Sequence, residues 1–121
     1  MNLPVFDLEQ LAQRVRDAID QFQIPTAREP SQLGGLLPLG WFEAGLREMS
    51  TALVKPHWAD AYDSEQGVVR SVAVVADDSD VYLLAFGPTP RDGDFVLVNR
   101  QPDGLFISNI RGDAVGCFLA R

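Results

Sequence analysis

Val68–Phe86 reads VVRSVAVVADDSDVYLLAF, and the way this stretch divides decides the fold. Residues 68 to 76 (VVRSVAVVA) and 81 to 86 (VYLLAF) are rich in β-branched and aromatic side chains, the types that pack on a pleated surface. Asp77-Asp78-Ser79-Asp80 between them has the composition of a turn, because Asp and Ser side chains bond back to nearby backbone groups. The stretch predicts two strands joined by a connection too short for a parallel crossover. Such strands are antiparallel neighbours.

The same reading extends in both directions. Residues 95 to 99 (FVLVN) and 105 to 110 (LFISNI) are two more strand-like runs, bounded by Gly87 to Asp94 and by Gln101 to Gly104, where Pro-Asp-Gly marks a turn. Trp58 to Tyr62 offers a fifth strand, paired with 68 to 76 across Ser64-Glu65-Gln66-Gly67. Short connections throughout predict a four- to five-stranded antiparallel meander.

Helices are expected at both ends. Leu8, Leu11, Ala12, Val15, Ala18, Ile19 and Phe22 recur at three- and four-residue intervals and form one apolar stripe. Asp7 with Gln10 has capping-box spacing, Phe6 and Leu11 are placed as a hydrophobic staple, and Pro25 stops the helix. Residues 26 to 40 read as a connection. Leu39, Phe42, Leu46, Met49 and Leu53 then keep helical spacing, weakened by Gly40 and Gly45, and Lys55-Pro56 should end this helix or turn it into an extended segment. At the far end, Asp113 is placed to cap a short helix whose Val115, Phe118 and Leu119 face the core. The expected architecture is one α+β domain over residues 1–121: two N-terminal helices, the meander with helices on one face, and a short C-terminal helix.

Composition narrows the function. The net charge is -7, and between Asp60 and Asp103 nine acids face only Arg70, Arg91 and Arg100. Such a surface repels phosphate backbones and anionic lipid, so neither nucleic acid nor membrane is an expected partner. A basic protein surface is the complementary one. The single cysteine excludes an internal disulfide framework. No basic n-region or apolar h-region opens the chain, and no apolar run reaches the roughly 18 residues that span a bilayer. The cytoplasm is the expected compartment, and the nine-to-one excess of arginine over lysine suits a GC-rich bacterial gene.

The chemistry-bearing residues are few. Arg111-Gly112-Asp113 is explained by a strand-to-helix turn without any adhesive role. Cys117, among Val115, Phe118 and Leu119, reads as a buried structural thiol. His57 is the only histidine, so any imidazole base must use it, with Asp60, Asp63 and Glu65 as the nearby carboxylates. On a helix His57 and Asp60 share a face; on a strand they point apart. Asp77, Asp78 and Asp80 lack the spacing of an EF-hand, as do Asp92 and Asp94, and no thiolate or histidine set completes a zinc site. No metal and no cofactor are expected. Trp41, Phe42 and Trp58 remain as apolar anchors, Phe42 reading as core and Trp41 equally as core or as an interface residue.

Leu37-Pro38 followed by Phe42 and Leu46, the acidic turn Asp77 to Asp80 ahead of a strand, and the terminal Phe118-Leu119 resemble the SUKH superfamily of bacterial toxin-immunity proteins. That resemblance implies a non-catalytic protein that neutralises a toxin by binding it. The resulting expectation is a protein-binding protein that uses Trp41, Trp58, Asp77, Asp78 and Asp80. A small enzyme or metal-dependent site centred on His57, Asp60 and Asp63, and an adaptor that dimerises through its sheet edge, are the rival readings.

Overall fold

The computed structural model describes residues 7–24, 40–87 and 95–121. Along the chain, helix α1 (Leu8–Gln21) and helix α2 (Trp41–Ala52) precede five strands. These are β1 (Leu53–Asp63), β2 (Val68–Asp77), β3 (Tyr82–Phe86), β4 (Phe95–Gln101) and β5 (Gly104–Gly112), and helix α3 (Ala114–Leu119) follows them. The chain is α+β. No helix among the described residues is long and apolar enough to cross a membrane.

The strands pair consecutively and antiparallel, as short turns require. The sheet is not the open meander expected from those turns, however. β1 also pairs with β5, in parallel and with Tyr62 opposite Phe106, and this contact closes the five strands into a barrel. The strands tilt and stagger on closure, so the end of β1 meets the beginning of β5.

A closed barrel has two apolar faces to fill. Residues alternate in direction along a strand, and in β2 and β4 both sets are buried: Val72 to Ala76 and Phe95 to Val98 have no exposed position. One set fills the barrel, where Val72, Val74, Leu83, Ala85, Val96 and Val98 pack together. The other faces outward, with Val75, Leu84 and Leu97 packed against Leu11 and Val15 of α1, Met49 of α2 and Phe118 of α3. Helices therefore cover part of the barrel's outside and not the second side of an open sheet.

The helix starts follow local chemistry. Asp7 caps α1 by accepting a hydrogen bond from the Glu9 N–H at 2.9 Å. Asp113 caps α3 in the same way, accepting from the Gly116 N–H at 2.9 Å. The triplet Arg111-Gly112-Asp113 is thus the hinge between β5 and α3, with Gly112 at φ +150°. Cys117 is buried, and its thiol donates to the Phe95 carbonyl at 3.4 Å.

The second helix is not N-terminal: α2 begins at Trp41 and passes straight into β1. The helix ends at Ala52, and Lys55-Pro56 lies in the extended segment that follows, within β1, where the register shifts between Leu53 and His57. A bulge tolerates a residue without an N–H, so the strand starts well before Trp58. Gly45 of α2 faces α3 so closely that a Cβ there would collide with the end of the Leu119 side chain. Phe6, Pro25, the 26–39 connection with Leu37-Pro38, and the 88–94 segment with Asp92 and Asp94 lie outside the described residues.

Candidate binding surface

The inward rows of the barrel end in ion pairs. Arg70 continues the row of Val72 and Val74, and its Nε donates to the Asp63 Oδ2 at 2.9 Å. The other carboxylate oxygen of Asp63 accepts the Glu65 and Gln66 N–H groups at 3.0 and 3.2 Å, so one buried aspartate fixes both a cation and the β1–β2 turn. At the opposite end, Arg100 continues the row of Val96 and Val98, and its guanidinium meets the Asp77 Oδ2 at 2.7 Å. Asp77 Oδ1 accepts from the Ser79 N–H at 2.7 Å.

These pairs shift the titrations in the sense the geometry requires. The Arg70 hydrogen bond holds the Asp63 carboxyl below the usual aspartate range, helped by the two turn N–H groups and opposed by desolvation. Asp77 is likewise lowered, first by Arg100, and Arg100 is raised in turn by Asp77. An aspartate with a lowered folded-state pKa adds stability that is fully present above its unfolded pKa of about 4. That stability is lost as pH falls through the lowered value, because the unfolded chain then binds more protons. The urea midpoint should therefore drop between about pH 5 and pH 2, and Asp63→Asn should make that drop shallower. An equal slope in both proteins would exclude Asp63 as a contributor.

The acidic turn is largely neutralised from within. Asp78 Oδ1 accepts from the Asp80 and Tyr82 N–H groups at 2.8 and 3.1 Å, while its Oδ2 lies 3.5 Å from Arg121. Arg121 also reaches Glu48 at 3.3 Å and stacks over the Phe118 ring at 4.2 Å. The Asp80 carbonyl accepts from Arg100 at 2.9 Å. Asp77 and Asp78 thus hold the β2–β3 turn in place, and only Asp80 has its carboxylate on the open surface.

The histidine cluster does not assemble. His57 is exposed on β1, with Nδ1 3.0 Å from the Lys55 carbonyl oxygen. Asp63 is committed to Arg70, and Asp60 projects from the outer face of the strand beside Ser71. Among the described residues no group of three His, Cys, Asp or Glu side chains is arranged to hold a metal. Trp41 is half-buried, edge-on to Phe42 with ring centroids 4.9 Å apart.

What remains is a strip of large exposed side chains on the barrel's outer wall. On β1, Trp58, Asp60 and Tyr62 point outward while Ala59 and Ala61 point inward. Across the ladder, Tyr62 opposes Val69 and Asp60 opposes Ser71. Trp58 is 40% exposed, Tyr62 38% and Val69 64%. On the β5 side Tyr62 meets Phe106 edge-on, with centroids 5.9 Å apart. Of the residues expected to bind a partner, the strip contains Trp58; Trp41 and the acidic turn lie elsewhere. Tyr62, Val69 and Phe106 were missed, yet large residues alternating with alanine in Trp58-Ala59-Asp60-Ala61-Tyr62 are the trace of a strand whose large side chains face outward. No protein-family model, curated protein or solved structure matches the chain.

Proposed function

We propose that this is a non-catalytic protein-binding domain, acting in the cytoplasm, whose contact surface is the outer wall of β1 and β2. The observation that carries the reading is the cluster of exposed Trp58, Tyr62 and Val69 on a rigid closed barrel. Aromatic side chains on a rigid element bury large areas at little entropic cost, and they dominate binding energy when a partner covers them. The net charge of -7 favours a partner whose rim is basic. Neutralisation of a toxin is one concrete form of such binding, in line with the resemblance to immunity proteins.

A photo-crosslinking residue in place of Tyr62, introduced in the source cells, should give an adduct of one discrete mass. The same residue at exposed Gln21 on α1 should not give it. Once the partner is purified, Trp58→Ala should weaken binding about tenfold or more. Identical adducts from both positions, or none from Tyr62, would refute the proposal.

A further inference from the structure

We infer that the outer wall of β1 recognises an arginine side chain of its partner, seated on Asp60 between the rings of Trp58 and Tyr62. The inference rests on the protein-binding reading above and specifies the chemistry of the contact.

Trp58, Asp60 and Tyr62 occupy alternate positions of one strand and share its outer face. Alternate residues are spaced about 6.6 Å apart along a strand, so Asp60 lies midway between two aromatic residues whose Cα atoms are roughly 13 Å apart. Ser71, directly opposite on β2, donates to the Asp60 Oδ1 at 3.3 Å and holds the carboxylate against the sheet. A carboxylate offers about four lone-pair sites, and this hydrogen bond uses one. No lysine or arginine among the described residues pairs with Asp60. Arg70 on the adjacent β2 is committed to Asp63, and Arg100 of β4 to Asp77. On this wall Asp60 is thus an outward anion that no ion pair among the described residues neutralises.

Further acid surrounds it. The parallel register that sets Tyr62 against Phe106 brings Gly104 level with Asp60, so exposed Asp103 in the β4–β5 turn lies on that side. Exposed Glu65 lies in the β1–β2 turn, beyond Tyr62. The occupant that fits is a cation that also stacks on rings. A guanidinium does both, with planar donors that bridge carboxylate oxygens and a weakly hydrated face that lies on aromatic rings. A lysine ammonium satisfies the charge but stacks less well.

The probe is the peptide acetyl-Leu-Arg-Leu-amide, titrated into the full chain and followed by amide and indole NMR shifts. The control peptide carries citrulline, the uncharged isostere of arginine. The arginine peptide should perturb Asp60, Tyr62, Ser71 and the Trp58 indole, and should bind about tenfold or more tighter than the control. Asp60→Asn, exposed and therefore expected to leave the fold intact, should erase that difference. Equal affinity for both peptides, shifts confined to other surfaces, or no shift would overturn the inference. The two readings separate cleanly. A Tyr62 crosslink of undiminished yield in Asp60→Asn removes the arginine contact and leaves the protein-binding reading standing. Arginine-specific shifts without any cellular crosslink leave the contact and remove that reading.

Discussion

Leu84→Ala is expected to lower the stability of the fold by about 2–5 kcal/mol. Leu84 has no exposed surface and points outward from β3 into the cluster that joins the barrel to all three helices. The same cluster contains Leu11 and Val15 of α1, Met49 of α2 and Val115 of α3. They are held by three different helices, so the space left by the lost carbons cannot collapse easily. The cost belongs in the upper part of the range for that reason. With a urea m-value of about 1–3 kcal/mol/M, the unfolding midpoint should fall by roughly 1–3 M with little change in slope. Leu84→Met conserves volume and should cost less than about 1.5 kcal/mol. A midpoint for Leu84→Ala within error of the parent protein would show that the helices do not pack on the barrel as described.

Much of this architecture is written locally and is legible in the sequence for that reason. β-branched runs bracket Asp77 to Asp80, Asp113 precedes a short apolar helix, and α1 has an unbroken stripe; each signal needs only its near neighbours. Barrel closure depends on Tyr62 meeting Phe106, a contact between distant parts of the chain that no local period reports. Its trace is indirect. A sheet covered on one face alternates apolar and polar residues, whereas Val72-Ala73-Val74-Val75-Ala76 and Phe95-Val96-Leu97-Val98 do not alternate at all. Two buried faces were implied, and the second of them is the barrel interior. The candidate site was read with the same bias. Counting acids singled out Asp77 and Asp78, but Arg100 and Arg121, far along the chain, neutralise them. In sequence Asp63 is one more carboxylate beside His57, but Arg70, seven residues on, occupies it at the same barrel end. Charge counts report how many groups exist; only the fold decides which of them face a partner.

Ala85→Leu tests closure itself, and it should destabilise by about 1–3 kcal/mol through overpacking. Ala85 is fully buried, next to Leu84 but pointing the opposite way, into the barrel. Val74 and Val96 flank it on the neighbouring strands. Five strands enclose a narrow interior, which is why Ala61 and Ala85 share it with Val72, Val74, Val96 and Val98. A leucine there has no open side to relax into, and the ring widens only by parting somewhere along its seams. The β1–β5 seam, recorded at the single pair Tyr62 and Phe106, is the first place to give. Hydrogen exchange at those two amides should therefore accelerate more than exchange within β3 and β4, alongside a lower urea midpoint. An open meander makes the opposite prediction: Ala85 would face solvent on the sheet's uncovered side, and a leucine would change stability by no more than about 0.5 kcal/mol. An unshifted midpoint with unchanged exchange at Tyr62 would refute the closed barrel, and with it the rigid wall on which the binding surface is built.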